Sequence, residues 1–257
     1  MFITEAHVGG GNGFNNNVIN NFDSGTDSAS TSGSGSVSGA AISGSAEAAA
    51  SFLQLGAQAS TSLTNANNVG AIRASATAIM QDTITITSPN VANGSRGFLQ
   101  YVFSAEGTLN VTNTSDTQVR ASAVFTITHD FGTLGGWQWI RTQMAAGTQT
   151  VNEAVILSDL IPFVYGTPFG LRFIVQISGG IVNPASQNFT TASDFLNTLT
   201  VTDFSVFDEN EVAVAVALSS VTGDGGTVYP GSTVPEPRAL LLLALAGAAL
   251  HRALRRP

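Results

Sequence analysis

The 257-residue chain contains no cysteine and no lysine. Without cysteine there can be no disulfide, thiolate zinc site, iron–sulfur cluster or cysteine nucleophile. The cellular compartment stays open, because a chain this long can be stabilised by burial alone. All nine basic residues are arginine, set against 17 Asp and Glu, and the net charge is −8. No basic cluster occurs outside the last seven residues, so the phosphate neutralisation that nucleic-acid binding requires is excluded. Charged residues make up only 10% of the chain and hydrophobic ones 43%. That balance argues against disorder throughout. Ser 26, Thr 28, Gly 27 and Asn 18 dominate instead, a composition of strands and turns.

The beginning of the chain is the least apolar part. Residues 1–45 include Gly-Gly-Gly-Asn-Gly and a long Ser/Gly/Asp stretch with too few large side chains to offset ordering entropy. They are expected to form a flexible arm. Residues 1–21 carry Glu5, no arginine and no apolar run, so they do not read as a secretory signal. Either the chain is not exported or its true start lies upstream.

Residues 46–222 alternate with period two in segment after segment. Ile84 and Ile86 alternate with Thr83, Thr85 and Thr87, and Leu199 and Val201 with Thr198, Thr200 and Thr202. Leu171, Phe173, Val175 and Ile177 form the strongest inward row, with a second in Val119, Ala121, Ala123, Phe125 and Ile127. Val212, Val214, Val216 and Leu218 predict one more strand. Residues 46–61 fit a helix start at the alanine run, but recurring Ser, Thr and Gly favour a strand pair. Turn signals every 8–15 residues and no long repeat predict a single all-β domain, an antiparallel, jelly-roll-like β-sandwich. Strand edges without lysine lack the residue that commonly guards them against pairing with another chain.

A linker over 223–233 leads into a tail of different chemistry. Pro235-Glu236-Pro237 is followed by a hydrophobic helix over 239–250 and then by Arg252, Arg255 and Arg256. Twelve helical residues span about 18 Å, a marginal crossing that snorkelling arginines would extend. The basic cluster would stay inside and the preceding domain outside. This tail, residues 234–257, resembles the PEP-CTERM sorting signal of Gram-negative bacteria. There the Pro-Glu-Pro motif, a short hydrophobic helix and a terminal Arg cluster are read by an exosortase. Arg238 and His251 depart from the usual pattern. The resemblance implies export, a missing upstream signal, transient insertion in the inner membrane, and an exosortase as partner. The body also looks like a common extracellular domain of PEP-CTERM proteins. That likeness rests on Asp82-Thr-Ile-Thr-Ile, on Pro162-Phe163 with Gly166-Thr167-Pro168-Phe169, and on residues 194–200 running into Val206-Phe207-Asp208. It implies a surface or matrix sandwich of unassigned activity.

Candidates for chemistry are few, and no cofactor is expected. His129 with Asp130 would need a placed serine, and no Gly-x-Ser-x-Gly elbow is present. Asp208, Glu209 and Glu211 are close enough to be weak calcium candidates, but without EF-hand spacing they read equally as a solvated turn. Among carboxylates for glycoside hydrolysis, Glu106 and Glu153 would be arbitrary choices. Trp137, Trp139 and Arg141 share one face of a predicted strand. With Tyr165 they predict either core or an exposed platform for sugar rings. The expected function is therefore an exported, structural, adhesive or exopolysaccharide-associated protein of the cell envelope, not an enzyme. The alternative is a carbohydrate-binding module using the Trp pair.

Overall fold

The computed structural model describes residues 1–11, 17–37, 39–64, 71–112, 119–130, 136–181 and 188–220. In chain order the strands are β1 (Phe2–Gly11), β2 (Asn17–Gly25), β3 (Ser28–Val37), β4 (Ala40–Ser51), β5 (Gln54–Thr64), β6 (Ala71–Thr87) and β7 (Arg96–Val111). There follow β8 (Val119–His129), β9 (Gly136–Gln143), β10 (Gly147–Leu157), β11 (Ile161–Val164), β12 (Phe169–Ile181), β13 (Phe189–Asp208) and β14 (Ala217–Ser220). They form two seven-stranded antiparallel sheets. Sheet A runs β2-β1-β6-β12-β8-β9 with β14 on β6; sheet B runs β10-β7-β13-β5-β4-β3 with β11 on β7. The expected all-β sandwich is present. Its sheets are wider than the eight-strand jelly roll, and β3-β4-β5 is a simple meander within one sheet. The hydrophobic C-terminal helix, the linker and the sorting motif fall outside the described residues.

The arm expected over 1–45 is instead mostly strand among its described residues, in β1, β2, β3 and the start of β4. β1 lies between β2 and β6, with Ala6 and Val8 fully buried, and the Met1 amine donates to Gln81 O at 2.8 Å. Small side chains are what make this affordable. Ala6, Ala40, Ala46, Ala48, Ala57 and Ala59 alternate inward and let the sheets approach until a Cβ on Gly44 would lie 2.9 Å from Val8 Cγ1. Ladder hydrogen bonds and close packing therefore replace the large apolar surface that the segment lacks.

Residues 46–61 form the expected strand pair, β4 and β5, turning at Phe52-Leu53. Leu53 holds a left-handed φ of 61° because its surroundings fix it: its N–H points at Met80 Sδ and its carbonyl accepts from Val201 N at 2.9 Å. The two predicted inward rows on β8 and β12 are all buried. The strand expected over 212–218 is broken. Val214 N bonds back to Val206 O, so the chain folds onto the end of β13 before β14 crosses to β6.

Candidate functional site at the corner between the sheets

β9 and β10 are the adjoining edges of sheets A and B, joined by residues 144–146. Pairing places Trp137, Trp139 and Arg141 opposite Ile127, Phe125 and Ala123 of β8, so all three project inward, as the period-two reading requires. Inward here means into the core. Trp139 is 5% exposed, and Trp137 is half-buried with its ring 4.8 Å from Phe103 and 6.2 Å from Phe125 in edge-to-face geometry. Tyr165, the third member of the expected platform, is completely buried, and its hydroxyl donates to Phe207 O at 3.1 Å. The exposed aromatic platform is thus corrected: these rings fill the aromatic half of the core, where each buries more area than a small neighbour could.

The polar chemistry at this corner centres on a residue whose role the sequence did not reveal. Glu153 of β10 accepts from Trp139 Nε1 at 3.1 Å and from Arg141 Nε at 2.7 Å, and pairs with Arg141 through a second guanidinium nitrogen. The Arg141 guanidinium lies 4.7 Å from the Trp139 ring centroid. Together these contacts clasp the two sheets at their open side. A bulge in β10 between Glu153 and Ile156 turns Val155 and Leu157 outward, 70% and 52% exposed. No sequence signal joins positions 141 and 153, because their meeting depends on two strands changing sheets.

The other candidates are spent on structure. Asp130 Oδ1 accepts Gly170 N at 2.6 Å, tying the end of β8 to β12. His129 is buried opposite Leu171. Asp208 Oδ1 accepts the N–H groups of Asn210 and Val212, both at 2.9 Å, and Glu211 sits at φ 61° in the turn so formed. Asp208, Glu209 and Glu211 therefore make an Asx-braced turn. Among the described residues no group of three or more His, Asp or Glu could hold a metal ion. Glu106 is exposed on the outer face of β7, away from Glu153.

Two buried polar groups went unremarked in the sequence. Asp82 shares the inward face of Ile84 and Ile86, and Tyr101 faces it from the other sheet. Burial first, then the Asp82 carboxylate, holds the Tyr101 phenol well above its ordinary range. Burial and then Asp208 push Tyr165 up to about 12.

No family model matches the chain, and neither does any curated protein. One solved structure, described as bearing on the promiscuous specificity of carbohydrate-binding modules of the β-sandwich superfamily, is similar at 9% identity and a TM-score of 0.20. The likeness covers 65% of this chain and 56% of that one, so this chain matches little more than half of that protein's length. At that level it carries no inference about ligand.

Proposed function

We propose that this protein is an exported β-sandwich of the cell surface or extracellular matrix, sorted through its C-terminal tail, with a structural or exopolysaccharide-associated role. The observation that carries the reading is the order of three unlike parts in 234–257: Pro235-Glu236-Pro237, an uninterrupted apolar run over 239–250, and Arg252, Arg255 and Arg256. The helix would pause in the inner membrane with the arginines inside, leaving the motif outside for an exosortase. A body with aromatic residues turned inward and hydroxyl-rich outer faces is compatible with an extracellular scaffold. The carbohydrate-binding alternative has lost its platform, since Trp139 and Tyr165 are buried.

Intact mass and N-terminal sequencing of the protein from envelope and medium, in its host with and without the exosortase, test this. Loss of the residues after the Pro-Glu-Pro motif only when the enzyme is present is the expected result. An uncleaved cytoplasmic chain would overturn it.

A further inference from the structure

The outer faces of the two sheets carry opposite charge. Sheet A presents Arg73 on β6, Arg120 on β8 and Arg172 on β12, all exposed, against Glu5 on β1 and Asp130 at the end of β8, whose carboxylate lies over Gly170. None of these arginines is in an ion pair among the described residues, where the pair is Arg141–Glu153. Sheet B presents Glu47 on β4, Glu106 on β7, and Asp194 and Asp203 on β13, against Arg96. Because a sandwich sets its two outer faces back to back, the protein has one basic side and one acidic side.

The charged groups also match in spacing. Arg73 and Arg120 both pair with Gly180, from β6 and β8 on either side of β12. Glu47 and Asp194 both pair with Gln58, from β4 and β13 on either side of β5. Each pair is therefore two strands apart, about 9.5 Å. Gly180 places no side chain between the arginines and could carry none, since at φ +129° a Cβ would lie 2.1 Å from Ile72 O. Gln58 fills the corresponding place on the acidic side and braces Glu47 through a 2.7 Å hydrogen bond. The adjacent rows are flat on both faces: Ser75–Ser178–Ser122 on sheet A and Ser45–Ser60–Ala192 on sheet B. Within each row two hydroxyls satisfy one another at 2.8 Å.

We propose that the sheet A face of one copy docks on the sheet B face of a second copy, with Arg73 and Arg120 against Asp194 and Glu47. Two unlike surfaces on opposite sides make the contact heterologous, so it does not close on a dimer but extends into an open stack. The serine rows let the faces approach closely enough for the long arginines to reach the carboxylates. Charge supplies the attraction, and added salt weakens it. This inference does not depend on tail sorting.

Sedimentation velocity of the purified full-length chain tests it at roughly 0.01 M and roughly 1 M salt, where the Debye length is about 30 Å and about 3 Å. Concentration-dependent association at low salt, lost at high salt, is expected. R73E/R120E and E47R/D194R should each be monomeric while keeping the wild-type circular dichroism and melting transition, since all four positions lie on outer faces. An equimolar mixture of the two variants should associate again, because each supplies the face its partner lacks. A wild-type chain that stays monomeric at low salt, association that survives both reversals or high salt, or a mixture that stays monomeric would each overturn the proposal. So would a monomeric wild type that binds alginate through Arg73 and Arg120, which would assign the basic face to a polyanion instead.

Discussion

The core changes character along the sandwich. Where β1, β3, β4, β5 and the first half of β6 meet, the buried residues are mainly alanine, with Val8, Ile42 and Ile72 between them. Where β7, β8, β9, β11 and β12 meet, they are rings: Phe103 lies 4.8 Å from both Phe125 and Trp137, and Tyr101 meets Phe173 edge-on at 5.0 Å. One half is held by close approach of backbones and the other by large side chains filling a wider gap. The halves should therefore fail differently. The alanine half has no room to gain atoms, whereas the aromatic half cannot lose them.

The largest effect is expected from Gly56→Ala, where a Cβ would lie 1.4 Å from Leu196 O. Backbone must move, so the cost should exceed the ~1–3 kcal/mol usual for overpacking. Loss of a cooperative urea transition would show it, and a wild-type midpoint would break the comparison. Next, Phe103→Ala in the aromatic half should cost about 3–5 kcal/mol, read as a lowered urea midpoint with unchanged slope. A loss below 1 kcal/mol would mean that the rings are not the support of that half.

The tyrosines sharpen the same contrast, because both described ones lie in the aromatic half. Tyr165 titrates near pH 10 when unfolded and at about 12 when folded, so its neutral form favours the folded state. That stabilisation is complete below about pH 10 and is lost as pH rises towards 12. Alkaline melts should show a falling Tm across this window in wild type and a shallower fall in Tyr165→Phe. Equal slopes would refute the assignment. The smallest effect belongs to the corner. Arg141 and Glu153 are each about one-third exposed, so Glu153→Gln should cost about 0.2–1 kcal/mol, less at high salt, with a change in Trp139 fluorescence.

Much of the fold was legible because period-two alternation is a local property. Leu171 to Ile177 and Val119 to Ile127 point inward as their spacing requires, and the β4–β5 pair formed despite its alanine run. The strands of the described part of residues 1–45 are not legible in the sequence, because the segment has few large apolar side chains. Alanine and glycine can build a core only when a partner sheet comes close enough, and nothing local announces that partner. The candidate site stays undecided between core and platform in the sequence for a related reason. Alternation put Trp137, Trp139 and Arg141 on one face, but whether that face met solvent or another sheet depended on β7 and β10.

The sequence by itself determined the strand character of the chain, the inward rows, the absence of cysteine chemistry, and the order of the three parts of the tail. Each follows from composition or from neighbours a few residues apart. Only the tertiary structure decided that the rings are core, that Glu153 joins Arg141, and that Arg73, Arg120 and Arg172 share the outer face of one sheet while Glu47, Glu106, Asp194 and Asp203 share that of the other. Those outcomes rest on pairings between residues tens of positions apart, and strand order, which sets them, is fixed by how two whole sheets pack rather than by any local pattern.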